Sequence, residues 1–387
     1  MQTRVTNGDH GKDSITILPG RTTQSKPWSF RIVHFFLIFL VLGLGLCIIS
    51  MNMIRYFGAR NMLQRESSRY ELCVEGRNTL ESWIRPPCDL MHDMNDTELF
   101  WRASFGPRIK EYPYKRVTKV AFMFLTRGPL PLSPLWERFF KGNDGFYSIY
   151  VHSLPGYRAN YSRSSVFYAR QIPSQVTEWG KMSMCDAERR LLANALLDLS
   201  NEHFVLLSEA CIPLRNFTII YRYISKSRYS FMGSYDDRGP YGRGRYDKNM
   251  EPEVTLKQWR KGAQWFEVNR ELALRIVEDN KYYPKFKQFC RPACYVDEHY
   301  FPTMLSIETP HLLANRSLTY TDWSRGGPHP ATFGKDDVSK EFFDRIMGRR
   351  MCFYNHRLVY LCQLFARKFA PSALDPLLRL SSEVFGY

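Results

Sequence analysis

Two short acidic clusters carry the residue types that transfer and hydrolysis reactions use. The first is Asp297-Glu298-His299, which lies nine residues or fewer from Cys290 and Cys294. A carboxylate in a cleft can take the proton of an attacking hydroxyl, so this cluster is a candidate for a general base. The structural alternative makes Asp297 a helix N-cap and places Glu298 in the first helical turn, and the residues alone favour it.

The second cluster is the pair Asp236-Asp237, in a loop rich in Gly and Arg that follows an expected strand. Acidic residues in such a position often hold a divalent metal ion together with a nucleotide diphosphate. An exposed turn before Gly239-Pro240 explains the same residues, and the pattern favours that turn.

A run of basic residues near the C-terminus could neutralise an anionic leaving group. It consists of Arg345, Arg349, Arg350, Arg357, Arg367 and Lys368. Transfer from a nucleotide sugar leaves a diphosphate, which is neutralised by a metal ion or by Arg and Lys. A basic run with no metal motif suits the second solution, although a solvated helix face is an equal alternative.

Several common functional motifs are missing. The sequence has no Gly-x-Ser-x-Gly, no Gly-x-x-x-x-Gly-Lys-Ser/Thr, no His-Glu-x-x-His and no Cys-x-x-Cys. Nucleophile-elbow hydrolases, P-loop proteins, the commonest zinc proteases and zinc ribbons are therefore disfavoured. The net charge of +16 is spread along the chain. Without a block of five or more Lys and Arg, it does not indicate a nucleic-acid partner.

Alternating strands and helices must position the candidate residues. Strands are expected at residues 119–126, 146–152, 165–172, 203–208 and 229–233, and helices at 135–140, 182–197 and 216–224. This alternation predicts an α/β fold with a mainly parallel sheet. Ligands bind such sheets at the carboxyl ends of the strands, here Thr126–Leu130, His152–Tyr157 and Ser208–Leu214.

An apolar run near the N-terminus predicts a membrane anchor. Residues 32–53 are almost wholly apolar, and about 20 helical residues cross a hydrocarbon layer of roughly 30 Å. The polar residues before the run and the lack of a small-x-small site after it argue against a cleaved signal peptide. The positive-inside rule favours a cytosolic N-terminus. We therefore expect a cytosolic tail (1–31), a signal-anchor (32–53), a stem (54–115) and a lumenal domain (116–387).

The residues after the anchor have features of an oxidising, lumenal compartment. Sequons for N-glycosylation occur at Asn95, Asn160, Asn216 and Asn315. Eight cysteines outside the apolar run form an even set, which fits lumenal disulfides of undetermined pairing. Cys290 and Cys294 are close enough in sequence to clip a local loop.

The order of these motifs resembles the plant branch of the core-2/I-branching β-1,6-N-acetylglucosaminyltransferase family, over roughly Lys119–Phe369. The resemblance rests on Val120–Leu125, Tyr147–His152, Leu207-Ser-Glu-Ala-Cys-Ile-Pro-Leu214, Lys261-Gly-Ala-Gln-Trp-Phe266, Asp297-Glu-His299, Thr321-Asp-Trp-Ser324 and Leu364-Phe-Ala-Arg-Lys-Phe369. The last of these is similar to the family's Leu-Phe-Ala-Asn-Lys-Phe, with Arg367 in place of the Asn. The resemblance implies a type A glycosyltransferase fold, which is Rossmann-like with a mainly parallel sheet, a UDP-sugar donor, inversion at the anomeric carbon, and no metal or other cofactor.

The family motifs assign roles to particular residues by resemblance. Glu298 matches the catalytic base. Lys368 and Arg349 match the residues that bind the diphosphate, with Arg350 as a rival to Arg349. His152 joins the expected donor site. We expect Trp265, Glu209 and Trp323 to contact the acceptor, although Trp265 fits the core equally well.

These assignments predict a Golgi type II membrane glycosyltransferase that moves a sugar, expected to be N-acetylglucosamine, to a glycan hydroxyl. One departure concerns the second strand, which ends Val-His-Val-Asp in the family but Val151-His-Ser-Leu154 here. The uridine contact of that Asp is therefore unassigned, and the Asp236-Asp237 pair is not expected to hold metal. The alternatives are a non-catalytic glycan-binding Golgi protein with the same fold, and a glycoside hydrolase using Asp297 or Glu298 with a second carboxylate.

Overall fold

A computed structural model describes residues 34–35, 37–53, 79–87, 89–106, 111–290, 294–348 and 350–387. The chain divides into two units, Met1–Glu75 and Gly76–Tyr387. In the first unit, residues 34–35 and 37–53 are helical. Among the described residues, no helix combines the length and the apolar character needed to cross a membrane. The expected tail, the rest of the expected anchor and residues 54–78 lie outside the described residues.

The second unit is built from short strands and helices in alternation. The strands are β1 (Lys119–Leu125), β2 (Tyr147–His152), β3 (Asn201–Ser208), β4 (Ile212–Pro213), β5 (Glu267–Asn269), β6 (Thr319–Thr321), β7 (Cys352–Tyr354), β8 (Arg357–Val359) and β9 (Phe365–Arg367). The α-helices are α1 (Leu80–Ile84), α2 (Asp96–Ser104), α3 (Ser133–Phe140), α4 (Met182–Leu196), α5 (Phe217–Ser225), α6 (Arg270–Glu278), α7 (Tyr283–Phe289), α8 (Tyr300–Glu308), α9 (Lys340–Met347) and α10 (Leu374–Leu380).

The central sheet has the strand order β2-β1-β3-β5. Strand β1 runs parallel to both β2 and β3, so that Met123 pairs with Tyr150 on one side and Leu206 on the other. Strand β5 is antiparallel to β3. The expected α/β architecture with a mainly parallel sheet is therefore confirmed for this unit.

Strand β1 separates two apolar cores because its side chains alternate between the faces of the sheet. Ala121 and Met123 belong to the core that contains helix α4. Phe122 and Phe124 belong to the second core, together with Trp136 of helix α3. A strand covered on both faces is expected to be a continuous apolar run, as residues 120–125 are. The sequence pattern therefore follows directly from the layered arrangement.

Helix α2 lies in the segment that the sequence assigned to the stem, but it belongs to the second compact unit. Its Asp96 receives two hydrogen bonds from Arg190 of helix α4, at 2.6 and 2.7 Å. Leu99 and Ala103 of the same helix are buried in the core. The ordered unit therefore begins before residue 116.

Two expected strands are not formed as such. Residues 165–172 consist mainly of turns, and only Gln171 bridges to Val151. The Ser165 hydroxyl bonds to Glu137 and also accepts the amide of Phe167, so local hydrogen bonds replace those of a sheet. In residues 229–233, Ser230 and Phe231 make only isolated bridges.

Two disulfides staple short loops of the second unit. Cys290 pairs with Cys294, as the short spacing suggested, and Cys352 pairs with Cys362 across the β7–β8 hairpin. Cys185 and Cys211 are buried free thiols. The expected set of eight therefore does not pair throughout; Cys73 and Cys88 lie outside the described residues.

Candidate active site

A cavity of ≈ 480 Å³ opens at the carboxyl ends of the three parallel strands. Its lining includes Thr126 and Arg127 after β1, His152 at the end of β2, and Ser208 and Glu209 at the end of β3. This is the edge of the sheet where the α/β pattern predicts ligand binding. The cavity therefore lies at the edge where the sequence leads us to expect ligands, and its use as the binding site stays a prediction.

A second sheet supplies another wall. Its order is β4-β9-β6, and Thr321 pairs with Arg367 across β6 and β9. This register brings Arg367 and the following Lys368 to the cavity beside Thr321. Further lining comes from residues 263–265, residues 297–298, Trp323, residues 328–330, and the segment that contains Thr177 and Trp179.

Glu298 lies at the end of a single 3₁₀ turn, Val296–Glu298. Its backbone carbonyl accepts a hydrogen bond of 2.8 Å from the amide of Gly262. A side chain at Gly262 is excluded, because a Cβ there would lie 2.0 Å from the carbonyl oxygen of Gly233. The glycine thus permits a close backbone approach that fixes the turn carrying Glu298.

Two cations bracket the Glu298 carboxylate. Its Oε2 lies 3.5 Å from Nη1 of Arg245 and 3.6 Å from Nζ of Lys261. Arg245 in turn stacks on the ring of Tyr295, with 4.3 Å between the guanidinium carbon and the ring centroid. The carboxylate is therefore held at the cavity wall in a defined orientation, as a general base must be.

Asp297, for which the sequence favoured a helix N-cap, is a second carboxylate of this cavity. It is not the N-cap of a helix; Tyr295 stands at that position of the 3₁₀ turn, and helix α8 begins three residues after Asp297. Its side chain lines the cavity, is buried, and has an Oδ1 without a hydrogen-bond partner among the described residues. Burial, and then the charge of Glu298, raise the pKa of Asp297 to about 7.

A third carboxyl group lies behind Asp297. Glu188 of helix α4 is fully buried, and burial followed by the charge of Asp297 raises its pKa well above the ordinary value. Its Oε1 accepts a hydrogen bond of 2.8 Å from Nε2 of Gln264, which also lines the cavity. Glu188 therefore anchors Gln264 at the cavity wall.

Replacing Asp297 with Asn is expected to stabilise the protein more at pH 8 than at pH 5. Because the folded state keeps a proton on Asp297 up to pH about 7, whereas the unfolded chain releases it near 3.8, wild-type stability falls as the pH rises through that window. The raised pKa of Asp297 therefore lowers the free energy of unfolding by about 2–3 kcal/mol between pH 5 and pH 8. Asn does not titrate, so the variant does not undergo this loss of stability as the pH rises.

Urea unfolding of both proteins at the two pH values measures the difference. Asp144→Asn, at an exposed position, is the matched control and should shift stability equally at both pH values. A pH-independent effect of Asp297→Asn would contradict the raised pKa.

Three cations of the cavity have no carboxylate within 4.0 Å among the described residues: Arg127, Arg367 and Lys368. The guanidinium of Arg367 lies 4.0 Å from the ring centroid of Trp265, and its Nε has no hydrogen-bond partner in the described part of the chain. Burial lowers the pKa of both Arg367 and Lys368, and the two charges oppose each other. The positive potential of such a cluster favours the binding of an anion.

The donor residues expected from the sequence fall into three groups. Lys368 and His152 line the cavity. His152 is buried, and burial followed by the charge of Arg190 lowers its pKa to about 4, so it is neutral near pH 7 and adds no positive charge. Arg349 lies outside the described residues.

Arg350 does not line this cavity, so the structure gives no support to its expected donor role. Helix α9 ends at Met347, and the carbonyl of the next residue, Gly348, accepts the amide of Arg350 at 3.0 Å as the chain turns towards the β7–β8 hairpin. Arg350 borders two other depressions together with Tyr320. Arg350 belongs to the basic run of the sequence, and the sequence did not reveal the turn that follows helix α9.

The residues expected at the acceptor all line the cavity: Trp265, Glu209 and Trp323. Trp265 is buried and faces Arg367, so its ring forms part of the wall as well as the core. Trp323 is 50% exposed and has a ring face available to a ligand. Glu209 is near enough to Arg367 and Lys368 to influence the pKa of both.

The pair Asp236-Asp237 is engaged by its own loop. Asp236 forms two hydrogen bonds of 2.7 Å with Arg243, and Asp237 accepts the amide of Gly239 at 2.8 Å. Within the described ranges, no group of three or more His, Cys, Asp and Glu side chains is arranged to hold a metal ion. The two carboxylates therefore shape the loop that carries Arg243 and Arg245.

Three of the four sequon asparagines accept backbone hydrogen bonds through their side chains in the described region. Asn95 caps helix α2 through the amide of Glu98, and Asn216 caps helix α5 through the amide of Ile219. Asn315 accepts the amide of Ser234, and Asn160 is exposed. Glycosylation of these sites stays a prediction.

Sequence reasoning missed an aromatic group at the cavity rim, formed by Trp179, Tyr295 and His329. The three residues are far apart in the chain and share no motif. The only local signal was a single Trp in the polar stretch Thr177–Lys181.

Comparison with known proteins agrees with this geometry. The family model described as "Core-2/I-Branching enzyme" matches residues 120–347. A protein of Oryza sativa subsp. japonica named "Glycosyltransferase BC10" is 36% identical over 310 residues. That alignment covers 68% of this chain and 76% of the rice protein.

Proposed function

Since this chain belongs to the core-2/I-branching enzyme family and is a glycosyltransferase, we propose that it transfers a sugar from a UDP-sugar to a glycan hydroxyl, with inversion and without a metal ion. N-acetylglucosamine is the sugar that we propose. Glu298 is the general base. Lys368, together with Arg367 and Arg127, binds the diphosphate. The role of Arg349 stays a prediction from the family motif.

One observation carries this proposal. The same cavity contains a carboxylate bracketed by two cations and, apart from it, three cations that lack a carboxylate partner among the described residues. The first arrangement suits proton removal and the second suits a leaving group with growing negative charge. An inverting transfer requires both within one site.

Glu298 acts on the acceptor. An acceptor hydroxyl gives its proton to Oε of Glu298 while its oxygen attacks the anomeric carbon of the donor. Arg245 and Lys261 keep the carboxylate oriented during this step, since both lie within 3.6 Å of Oε2. The base must lie within about 2.6–3.2 Å of the hydroxyl oxygen when the acceptor is bound.

The cation cluster acts on the leaving group. As the anomeric carbon–oxygen bond breaks, its electron pair passes to the phosphate oxygen, and the diphosphate gains negative charge. Lys368 and Arg367 stabilise that charge in a partly desolvated wall, where electrostatic interactions are stronger than in water. Arg127 adds a third positive charge at the open side.

We propose in addition that the catalytic unit faces the Golgi lumen behind the apolar run of residues 32–53. Two disulfides in the described part of the chain and four sequons support an oxidising compartment. Protease protection of the C-terminal unit in sealed microsomes tests this orientation, which digestion without detergent would contradict.

A donor screen tests the proposed reaction. The full chain, purified in detergent micelles, is incubated with individual UDP-sugars in the presence of EDTA, and thermal shift and UDP release are measured. We expect one donor to stabilise the protein and to be turned over in EDTA. Turnover that requires an added metal ion would contradict metal independence. A folded protein that binds no UDP-sugar would instead indicate a glycan-binding protein.

A further inference from the structure

The aromatic rim of the cavity has no role in the mechanism above. Trp179 lies edge-on to Tyr295 with 4.8 Å between the ring centroids, and 5.0 Å from the ring of His329. Trp179 and His329 line the cavity, and Trp179 is 48% exposed. We call these three residues the aromatic rim.

The aromatic rim is held in place by its surroundings. Gly326 and Gly327 adopt φ angles of +67° and +88°, which L residues avoid, and they permit the turn that leads to His329. His329 stands between Pro328 and Pro330, which restrict the backbone further. Trp179 therefore presents a large ring whose position is fixed before any ligand arrives, so that little entropy is lost on binding.

The aromatic rim is connected to the proposed base. Arg245 stacks on Tyr295 at 4.3 Å and reaches the Glu298 carboxylate at 3.5 Å. The rim is therefore linked to Glu298 through one cation, whereas the unpaired cations belong to β9 and the end of β1. A ligand on the rim therefore occupies the same cavity as the group that receives the acceptor proton.

We propose that the aromatic rim is a second sugar subsite, so that the acceptor is a neutral oligosaccharide or glycan of at least two rings. One ring presents the reacting hydroxyl to Glu298, and the neighbouring ring stacks its C–H face on Trp179. Aromatic faces are electron-rich and attract such C–H surfaces. This inference rests on the proposed transferase function and extends it to the size of the acceptor.

Chain-length dependence tests the subsite. The full chain in detergent, saturated with UDP, is titrated with methyl glycosides and with two-, four- and six-sugar oligomers of β-galactose, β-xylose and β-N-acetylglucosamine. In one series, affinity is expected to rise about three- to tenfold from one sugar to two or more. Trp179→Ala should remove that gain, and Trp179→Phe should retain most of it.

Trp101→Ala is the matched control, because Trp101 is also exposed and edge-on to one ring, Phe105, but does not line the cavity. It should keep the gain. The subsite is refuted if wild-type affinity does not depend on length in any series, or if Trp179→Ala preserves the dependence. UDP affinity, measured on the same samples, separates the two proposals. A wild-type protein that does not bind UDP would contradict the proposed transferase function. A wild-type protein that binds UDP but shows no dependence on acceptor length would contradict only the subsite.

Discussion

Replacing Glu298 with Gln is expected to abolish sugar transfer and to preserve the fold. Gln has nearly the same size but cannot accept the proton of the acceptor hydroxyl, and general-base catalysis contributes about 10²–10⁴-fold to rate. Lys261 and Arg245 lose an anionic partner that is partly solvated, so the cost in stability is small. UDP release in the presence of donor and acceptor measures the loss, and UDP affinity should stay close to that of the wild type.

Glu271→Gln is the matched control for this substitution. Glu271 is also paired with a cation, Arg275 at 3.0 Å, but lies on helix α6 and does not line the cavity. Its activity should equal that of the wild type. If Glu298→Gln retains transfer within about tenfold of the wild type, Glu298 is not the base, and Asp297 becomes the carboxylate to test.

Removing the charge of Lys368 or Arg367 is expected to weaken UDP binding by about ten- to a hundredfold. Hydrogen bonds to charged groups contribute about 1.5–3 kcal/mol, and neither of these cations forms an ion pair with a carboxylate of the described residues. Lys368→Ala and Arg367→Asn are the substitutions; the second installs the residue of the resembled family motif. Calorimetric titration with UDP in EDTA measures the effect, and donor turnover should fall as well, because the charge grows in the transition state.

Uridine distinguishes a phosphate contact from a general loss of structure. Uridine lacks the diphosphate, so its affinity should be the same in the wild type and both variants. Arg350→Ala serves as the comparison, since Arg350 borders other depressions, and it should bind UDP as the wild type does. Equal weakening of uridine and UDP in Lys368→Ala would contradict a diphosphate site at this position.

The fold indicates a role for Arg367, a residue at which this chain differs from the family motif. The family motif has Asn where this chain has Arg, and the sequence alone gave that difference no role. In the fold, the register of β9 against β6 turns Arg367 into the cavity, where Trp265 covers its guanidinium. Arg367 thereby adds a cation to the wall that Lys368 occupies, which increases the positive charge available to the diphosphate in the proposed reaction.

Local hydrophobic patterning determined the parts of the fold that bury their own side chains. Strands β1 and β3 and helix α4 were located correctly because a run covered on both faces is apolar throughout, and a helix repeats its apolar face every three to four residues. The expected strand at residues 165–172 was wrong because side-chain bonds from Ser165, one of them to the distant Glu137, stabilise turns there. A pattern of neighbouring residues contains no record of such a partner.

The sequence by itself determined the family, the strand ends that form the cavity, and the motifs that carry Glu298 and Lys368, because each of these is written in a few consecutive residues. Only the tertiary structure decided which side chains surround them. Glu188 and Asp297 are 109 positions apart in the numbering, yet the charge of Asp297 contributes to the raised pKa of Glu188. Trp179 and His329 are also far apart in the chain, yet their ring centroids lie 5.0 Å apart. Ring packing and charge interactions act over a few ångströms of space, whatever the separation along the chain.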